Sequence, residues 1–88
     1  MSFDAQTLEC FLAVHETGSF TYAAEKVCRT QSAISQQITK LENQIGKPIF
    51  NRGKTLTLTS EGEILLSYAR KIVQLNRDAM DRFKHPEL

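Results

Sequence analysis

The 88-residue chain contains no tryptophan, only two cysteines and two histidines, and no apolar run that approaches the ~18 residues needed to cross a bilayer. Two cysteines, Cys10 and Cys28, do not make a disulfide framework and are typical of reduced thiols in a cytosolic protein. The first residues, MSFDAQTLECF, carry no basic segment and no long apolar run, so they predict no signal peptide. We therefore expect a cytoplasmic protein with no membrane partner.

Groups that could perform catalysis or hold a metal are also scarce. The histidines and cysteines do not form a cluster with carboxylates, and no glycine-rich loop is present to hold a phosphate. Catalysis generally needs acid, base or nucleophilic groups that converge in a pocket. The sequence therefore argues against an enzyme, and it predicts no metal site and no cofactor.

Charge is unevenly divided along the chain, although the net charge is only +1. Residues 1–25 carry four acidic side chains and no basic one. Residues 26–54 carry six basic side chains and one acidic side chain, Glu42, whereas residues 55–88 carry five of each sign. All the net positive charge therefore lies in one segment, as binding to a phosphate backbone requires. A cluster on an ordinary solvated surface is the alternative.

The segment 31–45 within this basic region has two different faces. Apolar residues recur along one stripe of the predicted helix at spacings of four, three and four: Ile34, Ile38, Leu41 and Ile45. Amides and hydroxyls lie on the opposite side: Ser32, Gln36, Thr39 and Asn43. Such groups form hydrogen bonds with base edges in the major groove of DNA. A helix that is buried on one side and can contact bases on the other is typical of a helix-turn-helix protein.

Apolar periodicity, capping residues and breakers predict four helices in one small domain. We expect them at Asp4 to Thr17, at Phe20 or Thr21 to Cys28, at Gln31 to Ile45, and at Thr59 or Ser60 to about Phe83. Between the third and fourth helices, threonines alternate with Leu56 and Leu58 as in a strand. The facing strand is predicted at Ile49 to Asn51, with Arg52, Gly53 and Lys54 at the hairpin tip. A hairpin in this place is a wing that suits contact with phosphates or the minor groove, and an ordinary surface hairpin is the alternative.

The fourth helix has some 24 residues and would be roughly 36 Å long, which is long for a domain of this size. Apolar residues follow a four-three alternation along it: Leu65, Tyr68, Ile72, Leu75 and Ala79. We interpret this stripe as the surface of a homodimer. The alternative is a long helix that lies across its own three-helix core.

The predicted fold class is therefore mainly α: a winged helix-turn-helix with a three-helix core, a two-stranded wing and a long C-terminal linker (dimerisation) helix. We divide the chain into a DNA-binding domain at 1–58, the linker helix at 59–84 and a frayed tail at 85–88.

A set of residues along nearly the whole chain matches one family in identity and, outside the wing, in spacing. It comprises Ser19-Phe20-Thr21, Ala23-Ala24, Thr30 to Ile38, Leu41-Glu42, Gly46, Phe50, Arg52, Leu58-Thr59, Gly62 and Leu65-Leu66. The set resembles the N-terminal DNA-binding domain of the LysR-type transcriptional regulators. Segments 27–33 and 68–72 are most similar to the LrhA/HexA branch of that family, which regulates motility and virulence.

The resemblance implies sequence-specific binding to double-stranded DNA at an imperfect inverted repeat, as a homodimer joined through the linker helix. In full-length members a larger C-terminal domain binds a small-molecule effector and completes a tetramer. That domain is absent from these 88 residues, so an effector would act only through it, and we expect an excised DNA-binding module. A free-standing short regulator that forms mixed dimers with longer partners is an alternative.

Two groups of site residues are predicted. The resemblance implies DNA contacts at Gln31, Ser32, Ser35 and Gln36, and contacts near the DNA backbone at Thr30 and Arg52. Thr39 is added from the polar face of the third helix, and Arg29, Lys40 and Lys54 are added from the basic segment. Base readout is assigned to Gln31, Ser32, Ser35, Gln36 and Thr39, and contact with the DNA backbone to Arg29, Thr30, Lys40, Arg52 and Lys54. Gln36 stands where many members have arginine, and the wing is one residue shorter than in many members. A winged helix whose third helix docks another protein is the alternative function.

Overall fold

The computed structural model describes residues 2–84, which form four helices and a two-stranded antiparallel sheet. The elements are α1 (Ala5–Thr17), α2 (Phe20–Lys26), α3 (Gln31–Ile45), β1 (Phe50–Arg52), β2 (Leu56–Leu58) and α4 (Ser60–Lys84). This arrangement confirms the predicted winged helix-turn-helix with a long last helix. The tail predicted at 85–88 lies outside the described residues.

Each helix begins directly after a short polar residue that caps its first turn. The capping side chains accept hydrogen bonds from backbone N–H groups of the first turn, at 3.0 to 3.2 Å: Asp4 from Gln6, Ser19 from Tyr22, Thr30 from Ala33 and Thr59 from Gly62. Such a bond stabilises a helix by about 1 kcal/mol, because the N–H would otherwise have no partner. Gly18 and Gly46 end α1 and α3 in the left-handed conformation that glycine adopts without strain.

The predicted end of α2 at Cys28 is wrong, because the helix stops at Lys26. Cys28 has a φ of +55° and lies just beyond the cap residue Val27. The N–H of Cys28 donates to the carbonyl of Glu25 at 3.3 Å, and that of Arg29 donates to the carbonyl of Ala24 at 2.9 Å. These two bonds form a Schellman motif in which cysteine occupies the position usually held by glycine. The motif turns the chain from α2 into α3.

α1 supplies the centre of the hydrophobic core, with Leu8 and Phe11 fully buried. The apolar face of α3 packs against it, and the wing joins through Phe50, whose ring centroid lies 5.4 Å from that of Phe11. A second ring, that of Phe20 on α2, lies 6.3 Å from Phe50 in an edge-to-face arrangement. These aromatic contacts hold the wing against α1 and α2.

The wing is a short hairpin in which Phe50 pairs with Leu58, Asn51 with Thr57, and Arg52 with Leu56. Arg52 is therefore the last residue of β1, whereas the sequence predicted it at the hairpin tip. Ile49, predicted as part of the strand, precedes it and is fully buried. The loop between the strands consists of residues 53–55.

α4 packs on the core through its first half only. Its buried residues are Gly62, Leu65, Ala69 and Val73, and every described residue after Val73 is exposed. The helix thus extends beyond the core and gives the molecule a length of 48 Å against 26 Å and 19 Å in the other directions. The alternative of a helix that lies across its own core therefore applies to residues 60–73. The two predicted parts of the chain, the DNA-binding domain at 1–58 and the linker helix at 59–84, accordingly share one hydrophobic core.

Candidate nucleic-acid interface

The structure places the five predicted base-reading residues on the exposed side of α3. They are Gln31, Ser32, Ser35, Gln36 and Thr39, and all are solvent-exposed. Behind them Ile34, Ile38 and Leu41 are 0% exposed and Ile45 is half-buried, so the helix is anchored along its apolar stripe. The polar face can therefore meet a ligand without any rearrangement of the core.

One flank of α3 is tied to the N-terminal segment of the chain. The hydroxyl of the buried Thr7 donates to Gln37 Oε1 at 2.6 Å, and Gln44 Nε2 donates to the backbone carbonyl of Ser2 at 2.9 Å. These two glutamines serve to orient the helix and are not assigned to readout. Glutamine alone is thus a poor signal of function, and helical position separates Gln36 from Gln37.

The other flank faces α2 and the wing. Gln31, Ser35 and Glu42 succeed one another at spacings of four and seven, so they lie along the same line of the helix. The hydroxyl of Thr21 donates to Gln31 Oε1 at 3.1 Å, and Arg52 approaches Glu42 from the wing. Gln31 is therefore oriented from α2 before any ligand arrives.

The five residues predicted to contact the DNA backbone differ in their surroundings. Lys40 and Lys54 are exposed, Arg29 is half-buried, and Thr30 is exposed while its hydroxyl oxygen accepts the hydrogen bond that caps α3. The Thr30 O–H remains free to donate a hydrogen bond to a phosphate oxygen.

Arg52 already has two partners within the chain. Its Nη2 atom lies 3.6 Å from Oε1 of Glu42, and its guanidinium carbon lies 5.1 Å from the centre of the Phe20 ring. The sequence predicted Arg52 as a basic residue of the hairpin tip that contacts the DNA backbone. The structure instead makes it a bridge between β1, α2 and α3.

A second basic residue of the charged segment, Lys26, also has an internal partner. Its ammonium donates a hydrogen bond to the Glu16 carboxylate, which holds the pKa of Glu16 below its ordinary value. On the same helix as Glu16, burial raises the pKa of the Cys10 thiol, so that thiol stays protonated at neutral pH. Neither group belongs to the polar face of α3.

The apolar residues of α4 form two stripes. The buried stripe includes Leu65, which is 4% exposed and packs in the core of its own chain. The assignment of Leu65 to a dimer surface therefore needs correction. At 100° per residue, Ile64 lies roughly a quarter-turn away from Leu65. It is 61% exposed and begins an outer stripe that continues with Tyr68, Ile72, Leu75 and Ala79.

The outer stripe borders a groove that sequence periodicity did not reveal. The groove has a volume of about 430 Å³ and an almost wholly apolar lining: Phe3, Ile45, Glu61, Ile64, Leu65, Tyr68 and Ile72. Phe3 and Ile45 come from distant parts of the chain, so helical spacing within α4 gives no signal for them. Further along α4, Met80 is 53% exposed and Phe83 is 86% exposed.

Two further observations concern membrane spans and metal sites within residues 2–84. No helix in this part of the chain is long and apolar enough to cross a bilayer. No three histidine, cysteine or carboxylate side chains of these residues stand close enough together to hold a metal ion.

Comparison with known proteins gives the same family at three levels. The model of the bacterial regulatory helix-turn-helix proteins of the lysR family matches residues 5–63. The HTH-type transcriptional regulator PecT of Dickeya dadantii (strain 3937) is 48% identical over 80 residues, which are 90% of this chain and 25% of that protein. The chain thus spans about a quarter of the length of this curated relative.

Two solved structures of DNA complexes have the same fold. The complex of the BenM DNA-binding domain with catB site 1 has a TM-score of 0.88 and 32% sequence identity, over 97% of both chains. The complex of the CbnR DNA-binding domain with DNA has a TM-score of 0.84 and 29% identity, over 98% of this chain and 100% of that one. The narrower resemblance to the LrhA/HexA branch stays a prediction. From its sequence and its fold, this chain belongs to the lysR family of bacterial regulatory helix-turn-helix proteins.

Proposed function

We propose that the chain binds double-stranded DNA in a sequence-specific manner, as the DNA-binding domain of a LysR-type transcriptional regulator in the bacterial cytoplasm. α3 enters the major groove and the wing lies near the backbone or the minor groove. The observation that carries this proposal is the division of α3 into an apolar stripe that packs in the core and an exposed face of amides and hydroxyls. An ordinary solvated helix would carry charged residues on that face.

Base recognition falls to the outer side chains of α3. A glutamine can form two hydrogen bonds with adenine: its amide N–H donates to N7 and its amide oxygen accepts from the N6 amino group. A good pair of this kind discriminates between bases by about 1–3 kcal/mol. Gln36 points away from the buried stripe, whereas Gln31 stands at the helix N-terminus, where Thr21 already orients its amide. Ser32, Ser35 and Thr39 add short donors and acceptors at intermediate positions.

Contacts with phosphates supply affinity without sequence information. Lys40 and Lys54 are exposed for this purpose on α3 and in the wing loop. Thr30 stands at the N-terminus of α3, where the free backbone N–H groups and the positive end of the helix dipole attract a phosphate. Arg29 lies directly before it and adds a charge at the same end of the helix.

The outer stripe of α4 mediates a homodimer. An apolar stripe flanked by a groove lined with Phe3 and Ile45 is a large surface to leave in water for a domain of this size. A two-fold dimer would place two copies of α3 about 34–36 Å apart, one turn of DNA, on an imperfect inverted repeat. Transcription regulation follows from occupancy of that site, with no catalytic step.

Fluorescence anisotropy with a random-sequence duplex tests the proposal directly. We expect binding that weakens steeply as salt rises, because counterions are released from each neutralised phosphate. Selection of binding sites from a random library by the purified chain should then yield an inverted repeat. A protein-docking module would leave the duplex free at low salt and enrich no sequence, and either result would sink the proposal.

A further inference from the structure

One acidic side chain, Glu42, lies in the basic segment 26–54, on the same line of α3 as Gln31 and Ser35. Its side chain is 21% exposed, so it is neither solvated freely nor fully enclosed. A carboxylate on the border of a DNA-reading face repels phosphates. Its presence there calls for a structural reason and for a means of neutralising its charge.

The structural reason lies at the entry to the wing. Glu42 Oε2 accepts a hydrogen bond of 2.9 Å from the backbone N–H of Ile49, which is fully buried. On the other side of the same residue, the carbonyl of Ile49 accepts from the N–H of Thr59 at 3.1 Å. Ile49 therefore joins α3 to the start of α4. Loss of the acceptor on Glu42 would leave a buried N–H without a partner.

The means of neutralisation is Arg52, whose Nη2 lies 3.6 Å from the second carboxylate oxygen. The ring of Phe20 supports the guanidinium at 5.1 Å from its centre, which restricts the arginine to the flank of α3. The Arg52 side chain is 53% exposed, so its charge also reaches solvent. The negative charge of Glu42 and the positive charge of Arg52 thus lie together at the border of the polar face of α3.

We propose that Glu42 is a positioning residue that fixes the wing to α3, and that Arg52 contributes to DNA affinity chiefly because it neutralises Glu42. The inference rests on the proposed DNA-binding function. Removal of Arg52 then has two effects, the loss of a cation and the exposure of an uncompensated carboxylate to the phosphates. Removal of the carboxylate charge should reverse the second effect.

A double-mutant cycle tests the inference, with DNA affinity measured by anisotropy on a random duplex. We expect Arg52→Gln to weaken binding more than Lys54→Gln does, by a further three- to tenfold at low salt, roughly the effect of one unmasked charge near a phosphate. Glu42→Gln should restore most of that difference in the Arg52→Gln background. Lys54 belongs to the wing but does not pair with Glu42. In the Lys54→Gln background, Glu42→Gln should therefore change DNA affinity by the same factor as it does in the wild-type chain.

Additive effects of Glu42→Gln and Arg52→Gln would overturn the inference and make Arg52 an independent phosphate contact. If the wild-type chain failed to bind the duplex at all, the proposed function would fail instead. Hydrogen exchange at the Ile49 amide tests the positioning role without DNA. Glutamine keeps an acceptor oxygen, so Glu42→Gln should leave the amide protected, whereas Glu42→Ala should speed its exchange by about tenfold or more. Equal exchange in both variants would remove the positioning role.

Discussion

Gly62 of α4 lies directly against the backbone carbonyl of Ile49, since a Cβ atom built on Gly62 would stand 2.1 Å from the Ile49 oxygen. The same atom would stand 3.0 Å from a methyl carbon of Leu58. The obstacle is therefore mainly backbone, which cannot move aside as a flexible side chain does. This close approach sets the distance between α4 and the wing.

We expect Gly62→Ala to destabilise the chain by about 2–3 kcal/mol, because overpacking at this point shifts either α4 or the segment before the wing. Urea unfolding followed by circular dichroism measures the change. Gly53→Ala in the wing loop is the matched control, since its added Cβ would meet no atom within 4 Å. It should change stability by less than about 0.5 kcal/mol. Equal losses in the two variants would contradict the packing argument.

The parts of the fold that the sequence predicted correctly are those set by local interactions. The bounds of α3 follow from the spacing of its apolar residues, from the Thr30 cap and from Gly46, all within one segment. The exposure of Gln36 follows from the same spacing. Such features depend on a few neighbouring residues, so a single chain is sufficient to predict them.

The parts that the sequence did not predict depend on contacts between distant segments. Whether Leu65 or Ile64 faces the core depends on how α4 crosses α1, and the apolar spacing along α4 fits either choice. The place of Arg52 in β1 depends on the pairing of Phe50 with Leu58. Its pairing with Glu42 joins two segments that no sequence pattern connects.

The Schellman motif at Cys28 gives a prediction about the turn of the helix-turn-helix. A residue with a side chain is strained by about 1–2 kcal/mol in the left-handed region. Glycine relieves this strain, but it also increases the entropy of the unfolded chain, which cancels part of the gain in stability. Cys28 is exposed, so its replacement removes no core packing. We therefore expect Cys28→Gly to stabilise the chain by about 0.5–1 kcal/mol.

Thermal and urea unfolding check this gain. Cys28→Ala is the control, because alanine keeps the Cβ atom and the strain while it removes the thiol. Stabilisation by alanine as large as that by glycine would mean that the thiol, and not the backbone angle, is the unfavourable element.

The outer stripe of α4 predicts the effect of a charge placed on it. Leu75 is 67% exposed in the single chain, and a symmetric dimer would bury two copies of it. Because burial of each leucine contributes about 1.5–3 kcal/mol, Leu75→Asp should raise the dimer dissociation constant about a hundredfold or more. Sedimentation equilibrium measures this change.

Gln74→Asp is the control for Leu75→Asp, since it adds the same charge one residue away on a side of α4 that carries neither apolar stripe. It should leave the dissociation constant within about threefold of wild type, because a charge on a solvated helix face has a small effect. Equal sedimentation of all three proteins would show that α4 does not form the interface.

The outer face of α3 gives the prediction that bears most directly on sequence recognition. Gln36 is exposed opposite the buried Ile34 and Ile38, so Gln36→Ala removes a readout group without disturbing the core. Preference at one base pair of each half-site should fall by about 1–3 kcal/mol, while affinity for random duplex stays near that of wild type. Site selection with the variant and the wild type measures the difference. Gln74→Ala, which removes an exposed amide from α4, should select the wild-type sequence. If Gln36→Ala also selected the wild-type sequence unchanged, base readout would have to be assigned to the other side chains of the face.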